Sequence, residues 1–150
     1  MRDKDGVNAA FLICEMFCYY KTRGINLLDK LNELYKTYGY CLNTLYSYEF
    51  EGAAGFTRMQ EIMKAFRTGA IRTFGGMKVE KLLDYDLGLD GLPKSDVLKF
   101  ILENHSSVVI RPSGTEPKLK AYITVSAKDE TAAKEIEQKI VEDLKKGIRG

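Results

Sequence analysis

SVVIRPSGTEPKLKAYITVS, residues 107–126, consists of two β-patterned runs with a turn between them. In the second run Leu119, Ala121, Ile123 and Val125 alternate with Lys120, Tyr122, Thr124 and Ser126. Side chains on a strand point alternately to its two faces, so this period sets one apolar row against a core and leaves the other row polar. Parallel sheets are covered on both faces and their strands read as unbroken apolar runs; a sheet covered on one face is mostly antiparallel.

Outward from this pair, further strands are expected near residues 77–84 and 97–103, and at 40–50, where Leu42, Tyr46, Tyr48 and Phe50 favour β structure and Glu51-Gly52 closes the run. Residues 130 to about 146 set Ala133, Ile136, Ile140 and Leu144 on one side of a helix and charges on the other, with Gly147 as its stop. Thr57 and Gln60 fit a capping box for another helix, whose buried stripe is Met59, Ile62, Met63 and Phe66 and whose stop is Gly69. The expected class is α+β, a mostly antiparallel sheet with helices packed on one face.

The first forty residues have a different texture. VNAAFLICEMFCYYKTR, residues 7–23, is helix-forming up to Gly24 and apolar on nearly every side, a pattern that calls for burial on several sides. A second helix is expected at 27–38, with Asn26 as its cap, Asp29 in the first turn, Leu27, Leu31, Leu34 and Tyr38 as its stripe, and Gly39 at its end. A helical pair therefore precedes the α+β domain, with the boundary near residues 39–42.

Hydrophobic residues make up 45% and charged residues 29% of the 150, the profile of a folded chain with material for a core. No apolar run approaches the roughly 20 residues that cross a bilayer, and the charged start MRDKDG is unlike a secretory signal. The expected location is the cytoplasm, with no membrane partner. The formal charge of +2 comes from 23 basic and 21 acidic side chains that are interspersed, so no basic field points to nucleic acid. Cys14, Cys18 and Cys41 lack the spacing of a disulfide framework. Cys14 and Cys18 share a helix face, but neither Cys nor His follows at zinc-ligand spacing and His105 is the one histidine, so they are read as core packing rather than metal ligands.

The chemistry is concentrated in the turn. Arg111 offers a planar, permanently charged fork, Ser113 and Thr115 offer hydroxyls, and Gly114 lets backbone N–H groups approach an anion with no side chain in the way. Pro112 and Pro117 stiffen the two ends. Lys118 adds a point charge, and Glu116, of the wrong sign for a phosphate, is placed to orient Arg111 or a sugar hydroxyl. Pro-Ser-Gly-Thr is equally good material for an ordinary turn between strands, and on residue chemistry alone the two readings stand level. The spacing of a nucleotide-binding P-loop is absent.

RPSGTEPKLK, residues 111–120, resembles the phosphate-binding loop in the last domain of α-D-phosphohexomutases. RDKDGV at 2–7, LICEM at 12–16, Tyr-Tyr-Lys at 19–21, LYKTYGY at 34–40 and PKSDVLKF at 93–100 resemble the phosphoglucomutase branch of that family, nearest its bacterial members, in the same order. The resemblance implies a C-terminal domain with a fold like that of the TATA-binding protein, here residues 41–150. Residues 1–40 would be the closing helices of a truncated third, sugar-binding domain. It implies an enzyme that interconverts hexose 1-phosphate and hexose 6-phosphate through a phosphoserine, with Mg2+ and a hexose bisphosphate activator in the intact protein. By the same resemblance Arg111, Ser113, Gly114, Thr115 and Lys118 would bind the substrate phosphate that is not reacting, with Glu116 in support and no catalytic or metal-binding residue in this piece.

The family's serine loop, D-x-D-x-D metal segment and sugar loop are not found in these residues, so the chain alone is expected to be inactive and to hold no cofactor of its own. Its expected partners are a phosphosugar, the rest of a mutase chain and, through the truncated helical tail, a second copy of itself. The rival reading is a freestanding phosphate- or nucleic-acid-binding module whose sheet presents Tyr46, Tyr48, Tyr122 and the basic loop; a third is a non-catalytic interaction fragment.

Overall fold

The computed structural model describes residues 5–68 and 71–149, so the Gly69 stop and the first three residues of the RDKDGV match lie outside the described residues. The chain divides into two compact units, Met1–Gly39 and Tyr40–Gly150.

In the first unit, helix α1 (Gly6–Lys21) starts where the Asp5 carboxylate accepts the Asn8 N–H at 2.9 Å. Its C-terminal turn is tied by Arg23, whose guanidinium lies 3.5 Å over the Tyr19 ring and donates to the Tyr19 carbonyl at 2.9 Å. Helix α2 (Leu27–Tyr38) is capped by the Asn26 side chain, which accepts from the Leu28 N–H, and ends at Gly39 with φ of 90°. Neither helix has a buried residue. The burial expected on several sides of α1 is not found: Phe11 is 67% and Phe17 50% exposed, because two helices joined by a short turn enclose no core of their own. Cys14 and Cys18, expected as core packing, are free and exposed for the same reason.

The second unit is a six-stranded sheet in the order β1-β6-β5-β4-β3-β2 with helices against it. Its elements are β1 (Tyr40–Glu49), α3 (Gly52–Arg67), β2 (Thr73–Phe74), β3 (Met77–Asp84), β4 (Leu98–Leu102), β5 (Ser107–Pro112), β6 (Lys118–Ala127) and α4 (Glu130–Arg149). Every pairing is antiparallel. β1 and β6 run side by side from Tyr40 opposite Ala127 to Glu49 opposite Lys118. The inner row of β6, Leu119, Ala121, Ile123 and Val125, is buried, as its alternation requires.

In the same core α3 buries Met59, Ile62, Met63 and Phe66, and α4 buries Ala133, Ile140, Val141, Leu144 and Ile148. Phe100 on β4 meets Phe66 and Phe74 edge-on, with ring centroids 6.3 and 5.2 Å away, an arrangement aromatic quadrupoles favour.

Two helix ends differ from expectation. The Thr57–Gln60 capping box is not used: α3 begins six residues earlier, at Gly52, with no side-chain cap at Glu51. Gly55 is what permits this start, since a Cβ there would lie 2.7 Å from the Phe50 Cβ and 2.8 Å from its carbonyl carbon. Gly147 does not stop α4 but sits inside it, where a Cβ would come 2.9 Å from Phe66 Cζ; it lets the two helices approach. Tyr46 and Tyr48 lie on the half-buried inner face of β1 while Tyr122 stands on the opposite face of the sheet, so the three tyrosines do not make one nucleic-acid platform. Among the described residues no helix is long and apolar enough to cross a membrane.

Candidate functional site

β5 carries Arg111 into register with Lys120 of β6, and Pro112 with Leu119. Proline has no N–H to continue the ladder, and the chain turns there. The turn closes with the Ser113 N–H donating to the Lys118 carbonyl and the Lys118 N–H to the Glu116 carbonyl, both at 2.7 Å. The Ser113 Oγ faces the N–H groups of Thr115 and Glu116 at 3.4 and 3.3 Å, long contacts of the serine-turn kind. The Pro117 carbonyl accepts from the Phe50 N–H at 2.9 Å, which moors the turn to the end of β1.

The charged residues of the loop separate into two groups. Arg111 is exposed, and among the described residues its guanidinium has neither hydrogen bond nor ion pair. Lys118 is engaged: its Nζ lies 3.2 Å from Glu49 Oε1 and 3.2 Å from Glu116 Oε1. The hydrogen bond the ammonium donates to Glu49, then the one it donates to Glu116, holds it above its ordinary pKa. Glu116 therefore faces Lys118 rather than orienting Arg111. Gly114 has open space where a Cβ would go, with nothing within 4 Å, and its φ is not positive. Neither the packing nor the backbone of this chain requires glycine at 114.

The loop borders a cleft of about 320 Å³. Arg111, Pro112, Ser113 and Gly114 form one wall. Helix α3 supplies Phe56, Met59, Gln60 and Met63, and the segment before β4 supplies Ser95 and Asp96. That segment is held by the Ser95 N–H to the Tyr85 carbonyl at 3.2 Å and the Tyr85 N–H to the Val97 carbonyl at 3.0 Å. Arg67, at the end of α3, fixes it from the side: Nε bonds Asp84 Oδ2 and Nη2 bonds Asp96 Oδ1, each at 2.7 Å. Sequence reading gave Gln60 to a helix cap and assigned no role to Ser95 or Asp96. They reach the cleft only because β4 pairs with β5, a long-range fact with no local signal. Among the described residues no three His, Cys, Asp or Glu side chains gather as a metal site.

Residues 51–143 match the family described as the phosphoglucomutase/phosphomannomutase C-terminal domain. The chain belongs to this family. The phosphoglucomutase of Staphylococcus aureus strain MRSA252 is 34% identical over 140 residues, 86% of this chain and 25% of the relative. That of Staphylococcus saprophyticus is 32% identical over 139 residues, 85% of this chain and again 25% of the relative. The chain thus spans about a quarter of the length of the phosphoglucomutases it matches. Among solved structures, the open form of parafusin, a Paramecium phosphoglucomutase, superposes with a TM-score of 0.64 at 20% identity, covering 99% of this chain and 27% of parafusin. That likeness concerns the fold: a curled antiparallel sheet with helices, as in the phosphoglucomutase structure.

Proposed function

We propose that this chain is the phosphate-holding portion of an enzyme that interconverts hexose 1-phosphate and hexose 6-phosphate, with the loop 111–115 gripping the phosphate that is not reacting. In this reading residues 41–150 are the C-terminal phosphate-binding domain, and residues 1–40 are the closing helices of the preceding sugar-binding domain. The observation that carries it is the unpaired Arg111 guanidinium beside a turn whose glycine serves no need of the chain itself. A phosphate there would receive charge-assisted hydrogen bonds from Arg111 and neutral ones from Ser113, Thr115 and backbone N–H groups. Lys118, already shared between two carboxylates, contributes through the local field and by bracing the turn, with Glu116 as its support.

The loop binds and orients; it does not attack. Phosphoryl transfer depends on positioning and on charge neutralisation, and the phosphoserine, the Mg2+ and the hexose bisphosphate activator belong to the remaining three quarters of a full-length mutase. The chain alone is therefore expected not to interconvert glucose 1-phosphate and glucose 6-phosphate, even with magnesium and a bisphosphate primer. Turnover above a matched blank, lost on mutating a serine such as Ser113, would contradict this. The cytoplasm, where phosphosugars are metabolised, is the expected location.

An amide-shift titration with phosphate at low salt tests the site. A hydrogen bond to a charged group is worth roughly 1.5–3 kcal/mol, while capture costs about 4 kcal/mol or more, so millimolar binding centred on residues 111–115 is expected. Arg111→Lys should weaken it and Arg111→Ala nearly abolish it, because lysine keeps the charge but loses the fork. A silent loop, with shifts confined to Lys145 and Lys146, would refute the reading.

A further inference from the structure

The cleft beside the loop has a second polar wall that phosphate chemistry does not account for. Gln60 is exposed on the first helix of the unit and brings an amide that both donates and accepts. Ser95 brings a hydroxyl to the same cleft, and Asp96 brings a carboxylate whose Oδ1 is taken by Arg67 at 2.7 Å. The same cleft also has an apolar lining: Met59 and Met63 are each 2% exposed, while Phe56 keeps 39% of its surface in solvent. An anion needs donors alone. A cleft that combines apolar carbon with an amide, a hydroxyl and a carboxylate suits a polyhydroxy ring, whose C–H face lies on apolar carbon while its hydroxyls alternate as donors and acceptors. A volume of about 320 Å³ is at the small end of small-molecule sites.

We infer that Gln60 and Ser95 are specificity-determining residues, which read ring hydroxyls of a sugar whose phosphate is held by the adjoining loop. Arg67 is a positioning residue for this wall, since it ties Asp96 to Asp84 and so fixes the segment carrying Ser95. The inference rests on the phosphate reading above, and the test separates the two. Three probes share the dianionic head: inorganic phosphate, methyl phosphate, which adds an ester without hydroxyls, and glucose 6-phosphate.

Each is titrated into the complete chain and into the Gln60→Ala, Ser95→Ala and double variants, with amide shifts as the readout. Both residues are exposed, so folding should be unaffected, and the spectrum of each variant verifies it. The native chain should prefer glucose 6-phosphate over methyl phosphate by about threefold to tenfold, the reach of one or two net hydrogen bonds. The double variant should lose that preference while its affinity for inorganic phosphate stays unchanged. No preference in the native chain, or a preference that survives the double substitution, overturns this inference alone. A loop at 111–115 silent to all three probes overturns the phosphate reading and this inference with it.

Discussion

At the scale of single residues, the most consequential buried contact outside the cleft joins Tyr46 on β1 to Glu137 on α4. The hydroxyl donates to Oε1 at 2.6 Å, and Glu137 is only 8% exposed. That hydrogen bond, then burial, pushes the Tyr46 pKa up to about 12. A phenol whose folded pKa lies above its unfolded value near 10 adds stability that is complete below pH 10 and is lost as the pH climbs toward 12. Tyr46→Phe should cost about 1.5–3 kcal/mol at pH 7, because it strands a buried carboxylate. The gap between native and variant should close between pH 10 and 12; urea unfolding at stepped pH measures both, and a constant gap would sever the link. Alternation placed Tyr46 on the inner face of its strand, but its partner lies 91 residues away and left no mark in the local pattern. The same limit governs the loop. Arg111 and the turn were legible because their chemistry is local, whereas the pairing of Lys118 with Glu49 depends on β1 lying beside β6.

At the scale of elements, strands with a strict period of two were readable almost to the residue, and so was α2, which has a side-chain cap and a glycine end. The beginning of α3 was not, because Gly52-Ala53-Ala54-Gly55 looks like a turn and Thr57-x-x-Gln60 looks like a cap. Packing decides the matter: the helix seats its first turn directly on Phe50, and only a glycine at 55 leaves room. Gly55→Ala should therefore destabilise the domain, since an overpacking cost of about 1–3 kcal/mol outweighs the roughly 1 kcal/mol alanine gains in helix propensity. Gly114→Ala is the contrast. With nothing within 4 Å of the added methyl, its urea midpoint should match the native chain's to within about 0.5 kcal/mol, while phosphate shifts at the loop diminish. A tolerated Gly55→Ala, or a Gly114→Ala chain that unfolds early, would show that these glycines serve other purposes.

At the scale of the whole molecule, the open question is what covers α1. Val7, Phe11, Leu12, Ile13, Met16 and Phe17 are between 44% and 84% exposed, and no residue of the helix is buried. Large contiguous apolar patches are rare on soluble monomers. A second copy of the chain would bring a matching apolar helix face. The chain should therefore associate reversibly with rising concentration in sedimentation velocity. Phe11→Glu with Phe17→Glu should shift it toward monomer without altering the sheet domain's unfolding, because neither residue belongs to that domain's core. Sulfate should tighten the association, as it does apolar burial generally, whereas contacts between charges would loosen with salt. A strict monomer at high concentration with α1 still helical by amide shifts would mean that the helix needs no cover, and association through the tail would be disproved.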